Sequence, residues 1–232
     1  MQTQPSNLDT LIAKLQTVPM LRGLDPASLA QLAGRAIRRA YAPGAVIFLE
    51  GDAASALYYV DTGWVKVVKM SPDGREQILY VWGPGEIFGG VGVFVNRPVP
   101  ATAIVLEPTA IWILPSDAIR HLLTTNPTMA LPIIEFMANR ISELVELVAD
   151  LSLHTVTARL ARLLLEQAEG DVLHRRSWAT QAEMAARLGT VPDVLSRALR
   201  GLVEAGLIQV QRHQIQILDR QGLAAQTISD HR

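Results

Sequence analysis

The chain has 232 residues, 49% of them apolar, which is enough for one large or two modest domains with a filled core. It has no cysteine, and this excludes disulfides, thiolate zinc sites, cysteine nucleophiles and cysteine-ligated iron–sulfur clusters. A net charge of −1 excludes a protein that coats nucleic acid by bulk charge, but the balance is uneven: residues 1–154 carry 11 Lys+Arg and 14 Asp+Glu (net −3), while residues 155–232 carry 10 Arg, no Lys and 8 Asp+Glu (net +2).

The opening MQTQPSNLDT lacks the basic-then-apolar order of a secretory signal, and no uncharged apolar run reaches about 18 residues. A cytoplasmic protein without a membrane partner is expected. Residues 8–16 (LDTLIAKLQ) and 25–36 (DPASLAQLAGRA) read as two short helices, the second capped by Asp25 with Pro26 at its first position. From residue 41 the pattern turns to short β-branched and aromatic runs cut by glycines at 44, 51, 63, 74, 83 and 85. VKVVKM, SPDG and REQILYVW read as a hairpin, and ATAIVLEPTAIWILP adds two strands. Seven or eight short strands so spaced predict an antiparallel sandwich or barrel.

After Pro115 the helical period returns. Ser116 or Asp117 is placed to cap AIRHLLTTN. A long helix is expected from Thr128 to Ser152, with Pro132 in its first turn. Its stripe of Ile134, Met137, Ile141, Leu144, Val145, Val148 and Leu151 repeats in steps of three and four, with Glu135, Glu143 and Glu146 off it. That spacing fits a seam with a second copy, a helix lying on its own sheet, or a helix that does both. TVTARLARLLLEQA (155–168) is a further amphipathic helix ending near Gly170. Ile208, Val210, Ile215 and Ile217 alternate around a turn at Arg212–Gln214, as a two-stranded wing would, and the closing TISDHR reads as frayed.

Between these lies QAEMAARLGTVPDVLSRALRGL. Ala185 is small where two helices must approach, Gly189 supplies a turn with positive φ, and Leu195, Leu199 and Leu202 recur on one face. Asp193, Ser196, Arg197 and Arg200 then share the opposite face, with Gln181 and Thr190 at the starts of the two helices. A recognition helix needs this arrangement, an apolar underside with hydrogen-bonding side chains near its N-terminal end. The lysine-free Arg content suits bidentate contact with guanine and phosphate, although Arg-favouring codon usage gives the same composition.

The order of two helices, Gly-punctuated strands, long helix and winged helix-turn-helix resembles the Crp/Fnr family of bacterial transcription regulators over about residues 15–225. PGAVIFLEGDAASALYYVDTGWVKVVKMSPDGREQIL is similar to the family's cyclic-nucleotide-binding β-roll, and LGTVPDVLSRALRGLVEAGLI to its recognition helix. The resemblance implies an α+β chain with an antiparallel jelly-roll-like β-roll in residues 1–127, a dimerisation helix and hinge in 128–153 and a winged helix-turn-helix in 154–232. It also implies a homodimer on double-stranded DNA that contacts RNA polymerase, with no catalytic residues. By analogy Arg197 reads a guanine, Ser196 a neighbouring base or phosphate, and Asp193 an amino group such as that of cytosine, on a half-site akin to TTGA. Asp193 stands where the Fnr-like branch has Glu, one methylene longer, and Pro192 is another departure.

The same resemblance locates an effector pocket at Gly89, Gly90, Val91, Arg97, Ala101, Thr102, Leu144 and Val145. Gly90 replaces the ribose-binding Glu, Pro100 and Ala101 replace the phosphate-binding Arg-Ser pair, and Leu144 and Val145 stand in for purine-binding hydroxyls. These departures argue against cyclic AMP, although Arg97 could reach a phosphate from the loop. Haem stays open through His121 or His154, as do an apolar effector beside Val91, Val93, Leu144 and Val145, and control by abundance alone. The dimer seam is placed at Ile134, Ile141, Leu144, Val145, Val148 and Leu151, and the hinge at Asp150–Thr155. Two other readings are a sensor module without DNA binding, which the wing argues against, and a cupin-type metal enzyme. Residues 41–115 contain no histidine, so no metal site is expected.

Overall fold

The computed structural model describes residues 7–227; residues 228–232, on which most of the fraying expectation falls, lie outside them. The chain divides into two compact units, one running to Lys69 and including Tyr80–Ser142, the other combining Met70–Leu79 with the chain from Glu143 onward.

In the first unit, α1 (Asn7–Gln16) and α2 (Pro26–Arg35) bury Leu11, Leu15, Leu29 and Leu32. Asp25 caps α2 as expected, its Oδ1 accepting the Ser28 N–H at 2.9 Å. The strands β1 (Ile37–Tyr41), β2 (Val46–Phe48), β3 (Ala56–Thr62), β4 (Val65–Met70), β5 (Glu76–Trp82), β6 (Ile87–Phe88), β7 (Thr102–Val105) and β8 (Thr109–Pro115) follow. They form two four-stranded sheets, ordered β1-β8-β3-β6 and β2-β7-β4-β5. The expected hairpin closes at SPDG, where Ser71 N–H donates to the Arg75 carbonyl and Gly74 N–H to the Ser71 carbonyl, both at 2.9 Å.

Strand β3 shows why the roll holds together. Its side chains alternate between faces, so Leu57 and Tyr59 pack with α1 and α2 while Ala56, Tyr58 and Val60 join the roll interior. Both faces are buried, hence a continuous apolar run rather than an alternating one. At its end Asp61 accepts hydrogen bonds from Arg38 Nε at 3.0 Å and Nη2 at 2.8 Å, and from Lys14. Burial pushes the Asp61 carboxyl up, but these bonds and charges outweigh it and hold its pKa below the ordinary value. Strand β1 is an outer strand, bonded among the described strands to β8 alone, with Arg38 and Arg39 exposed.

Helix α3 (Gly90–Val95) was not anticipated; six residues give too little of a 3.6-residue period to be seen. Helix α4 (Ser116–Thr125) corrects a second expectation, since neither Ser116 nor Asp117 caps it. Pro115 occupies the cap position, because β8 runs straight into the helix and the Ser116 N–H is taken by the Ser55 carbonyl at 2.9 Å. Asp117 pairs with Arg35 at 2.6 Å instead.

The long helix, α5 (Ala130–Leu153), starts later than expected because Pro127–Met129 form a 3₁₀ turn, tied to Gly23 by the Thr128 hydroxyl at 2.7 Å. Its inward edge is Ile133, Phe136 and Met137, which pack against the roll and its helices. The sequence stripe missed Ile133 and Phe136. The helix is apolar on two edges: of the expected stripe, Met137 turns inward with Phe136, while Ile134, Ile141, Val145 and Val148 trace the outer edge.

In the second unit, α6 (Val156–Gln167) is capped by Thr155, whose hydroxyl accepts the Ala158 N–H at 3.2 Å. β9 (Val172–His174), α7 (Gln181–Arg187), α8 (Pro192–Glu204), β10 (Ile208–Val210), β11 (Gln214–Ile217) and α9 (Arg220–Gln226) follow. Leu160, Leu164, Leu195, Leu202, Ile208, Ile215 and Leu223 share one core. The wing is three-stranded, not two-stranded, with β9 pairing β11 through Ile215 and Leu173. Three residues of β9 are too few to register as an alternation.

Candidate nucleic-acid interface

The helix-turn-helix is built by local rules. Thr180 caps α7, its hydroxyl accepting the Glu183 N–H at 3.2 Å. The chain then reverses, with Thr190 N–H donating to the Ala185 carbonyl at 2.9 Å. Gly189 sits in this turn at φ +62, where a Cβ would also collide with Leu151 and lie 3.2 Å from Arg159 Nη1. Pro192 opens α8, where its missing N–H is harmless.

Leu195, Leu199 and Leu202 are buried as expected, and Ala185 at 1% exposure allows the close approach. Asp193, Arg197 and Arg200 are exposed and Ser196 is half-buried, so the four share the outer face of α8. Gln181 is exposed at the start of α7, and Thr190 is half-buried in the turn.

How the arginines are used separates structure from interface. Arg159, 9% exposed, donates Nη1 to the Leu188 carbonyl at 2.5 Å and so clamps α6 to the end of α7. Burial works against its charged form, and nearby Asp150 supports it. Arg162 is bound to Asp150, Arg175 to the Ala179 carbonyl at 3.0 Å and Arg220 to the Gly170 carbonyl at 2.7 Å. Arg197 and Arg200 make no hydrogen bond or ion pair among the described residues. Two unneutralised guanidinium groups on one exposed helical face suit guanine edges and phosphate oxygens.

The positions expected to line an effector pocket behave differently from one another. Gly89 ends β6 with φ +88, and Gly90 opens α3 with the Phe94 ring 2.8 Å from where a Cβ would sit. Val91 is 48% exposed and Arg97 is exposed, whereas Ala101 and Thr102 are buried, the Thr102 hydroxyl accepting the Glu50 N–H at 3.0 Å. Leu144 and Val145 belong to the other unit. Sequence reasoning missed a different group in the roll: the Arg140 guanidinium lies 4.5 Å from the Trp82 ring centre, 5.2 Å from Phe136 and 5.5 Å from Tyr80. The available signal was on α5, where Ile133, Phe136 and Arg140 form a second stripe at steps of three and four.

Along the outer edge of α5, Ile134, Ile141, Val145 and Val148 are each about 60% exposed (62%, 59%, 62% and 62%) and Leu144 is 37% exposed. Leu151, expected in the same row, is half-buried against the Gly189 turn. Of the candidate haem ligands, His121 is exposed on α4, and His154 Nε2 lies 4.0 Å from Asp150 Oδ1. Among the described residues no group of three or more His, Asp or Glu stands close enough to hold a metal ion, and no helix is long and apolar enough to cross a membrane.

Residues 38–126 match a cyclic nucleotide-binding domain and residues 158–226 a Crp-like helix-turn-helix domain. The Cyclic AMP receptor protein of Thermus thermophilus is 30% identical over 200 residues, covering 83% of this chain and 88% of that protein. The chain belongs to the Crp/Fnr family of transcription regulators. The CRP-like cAMP-activated global transcriptional regulator of Mycobacterium tuberculosis is 26% identical over 223 residues, covering 94% of this chain and 98% of that one. The structure of FixK2 from Bradyrhizobium japonicum shares the fold, with a TM-score of 0.73 at 23% identity over 84% of this chain and 98% of that chain. Like other Crp/Fnr members, the chain is a DNA-binding transcription regulator rather than an enzyme.

Proposed function

We propose that this Crp/Fnr regulator acts in the cytoplasm as a homodimer that reads a palindromic promoter site through α8 of each copy. Residues 154–232 bind DNA, residues 128–153 pair and hinge, and residues 1–127 receive the signal. One observation carries the reading: α8 has a leucine underside locked into the core and an outer face of Asp193, Ser196, Arg197 and Arg200 whose charged groups make no ion pair among the described residues. Two such helices about 34 Å apart meet successive major grooves on one side of a duplex. Arg197 takes a guanine of a TTGA-like half-site, Arg200 a phosphate, and Gln181 and Thr190 flanking phosphates. The exposed apolar edge of α5 is the pairing surface, and RNA polymerase is the downstream partner.

Two relatives carry cyclic AMP in their names. In this chain the phosphate-facing positions are Pro100 and Ala101, and the Phe94 ring crowds Gly90 where the family's Glu would stand. A cyclic phosphate would lose a charge-assisted contact worth about 1.5–3 kcal/mol. The signal is therefore something other than cyclic AMP, or the protein's own abundance.

Selection from randomised duplexes with the full chain tests the DNA reading. An inverted repeat with half-sites one helical turn apart is the expected product. Enrichment of no sequence, with and without a cell extract as a source of signal, would defeat it.

A further inference from the structure

Arg159 is the sole buried charged side chain among the described residues of the second unit, at 9% exposure. Among those residues it makes no ion pair: the nearby Asp150 carboxylate is bound to Arg162, and the Arg159 Nε has no acceptor. Its neighbours on α6, Ala158, Leu160, Leu163 and Leu164, are buried and apolar. Burial works against the charged form, and Asp150 supports that form only through space. An apolar side chain of similar volume would fill the same place, since replacing buried ionic groups by apolar ones is often neutral or stabilising. Packing therefore does not account for a guanidinium here.

What the guanidinium supplies is one directed bond. Its Nη1 donates to the Leu188 carbonyl at 2.5 Å, at the end of α7, where carbonyls lack partners within the helix. Leu188 immediately precedes Gly189, and a Cβ built on that glycine would lie 3.2 Å from Arg159 Nη1. Leu151, on the last turn of α5, lies against the same glycine. Gly189 has no side chain to pack. Beyond backbone bonds such as Thr190 N–H to the Ala185 carbonyl at 2.9 Å, the turn into α8 is held by Arg159 from α6 and by Leu151 from α5.

We propose that Arg159 is a positioning residue for DNA recognition, holding the Leu188 carbonyl so that the Gly189 turn sets the angle at which α8 presents Asp193, Ser196 and Arg197. This rests on reading α8 as the recognition helix, and it adds to that reading a buried residue of a different helix. Bidentate base contacts need placement to within about 0.5 Å, whereas phosphate contacts follow charge and tolerate a tilted helix. Loss of the bond therefore lowers discrimination between sequences and leaves non-specific affinity in place.

Three measurements on the full-length protein test this: thermal melting, hydrogen–deuterium exchange of residues 186–192 without DNA, and selection from randomised duplexes. Arg159→Met keeps the volume and removes the donor. It is expected to melt no lower than wild type, to exchange about tenfold or more faster in the turn, and to lose about tenfold or more of the affinity ratio between the selected duplex and a scrambled one. Arg159→Lys keeps the charge and a donor without the planar fork, and is expected to fall between the two. If Arg159→Met fails to fold, Arg159→Lys decides alone. The inference is overturned by wild-type exchange in the turn of a folded variant, by faster exchange with an unaltered selection profile, or by equal loss of affinity for selected and scrambled duplexes. A wild-type chain that selects no sequence would overturn the DNA reading instead, and the exchange rates would then decide by themselves whether Arg159 holds the turn.

Discussion

Helices α5 and α8 both bury one face, but they leave opposite chemistries exposed. On α5 the outer edge is Ile134, Ile141, Val145 and Val148, each about three-fifths exposed (59–62%). On α8 it is Asp193, Arg197 and Arg200, without internal partners among the described residues. Contiguous exposed apolar side chains mark a surface that another protein covers, whereas unneutralised guanidinium groups mark a surface that an anion covers. In each helix the buried face reports the fold, and the exposed face reports the partner.

The strongest way to break the contrast is to give α5 the chemistry of α8. Leu144→Lys combined with Val148→Lys is expected to yield monomers by sedimentation and to weaken operator binding by about 100-fold or more, because one half-site is lost. A normal dimer from this variant would remove α5 as the pairing surface. Leu195→Ala attacks the underside of α8 instead. It is expected to destabilise the C-terminal unit by about 2–5 kcal/mol in chemical denaturation, with DNA binding lost along with the fold.

Arg197→Ala sharpens the comparison without touching either core. It is expected to cost about 1–3 kcal/mol of specific affinity and to flatten preference at one base pair, with dimerisation unchanged. An unaltered selection profile would contradict its base-reading role. The smallest effect is reserved for Arg200→Ala, which is expected to weaken all sequences alike and to reduce the slope of log affinity against log salt by about 1. A base-specific change there would exchange its role with that of Arg197.

Much of this contrast is legible in the sequence, because both exposed faces follow a single helical period. Gly189 and the leucines of α8 fix its orientation, and the spacing from Ile134 to Val148 fixes the outer edge of α5. The inner edge is harder to see. Ile133, Phe136 and Arg140 acquire meaning only when α5 lies against β5, bringing Arg140 onto Trp82 from a distant part of the chain. Short elements also escape: β9, α3 and α9 are held by their neighbours in space more than by any pattern of their own. The cap expected at Ser116 or Asp117 failed for a related reason, since the sheet claimed the Ser116 N–H first. Local rules succeed where one element decides its own contacts and fail where two distant segments share them.

Strand β1 ends its sheet, with no further strand beyond it among the described residues, the kind of edge on which fibrils grow. The exposed Arg39 places a fixed cation along that edge, next to the Arg38–Asp61 ion pair. Stacking a second molecule there would press like charges together. Edge-to-edge stacking of two rolls is thereby disfavoured, which fits the pairing proposed for α5, and replacing Arg39 with a β-branched apolar residue is expected to open a route to aggregation.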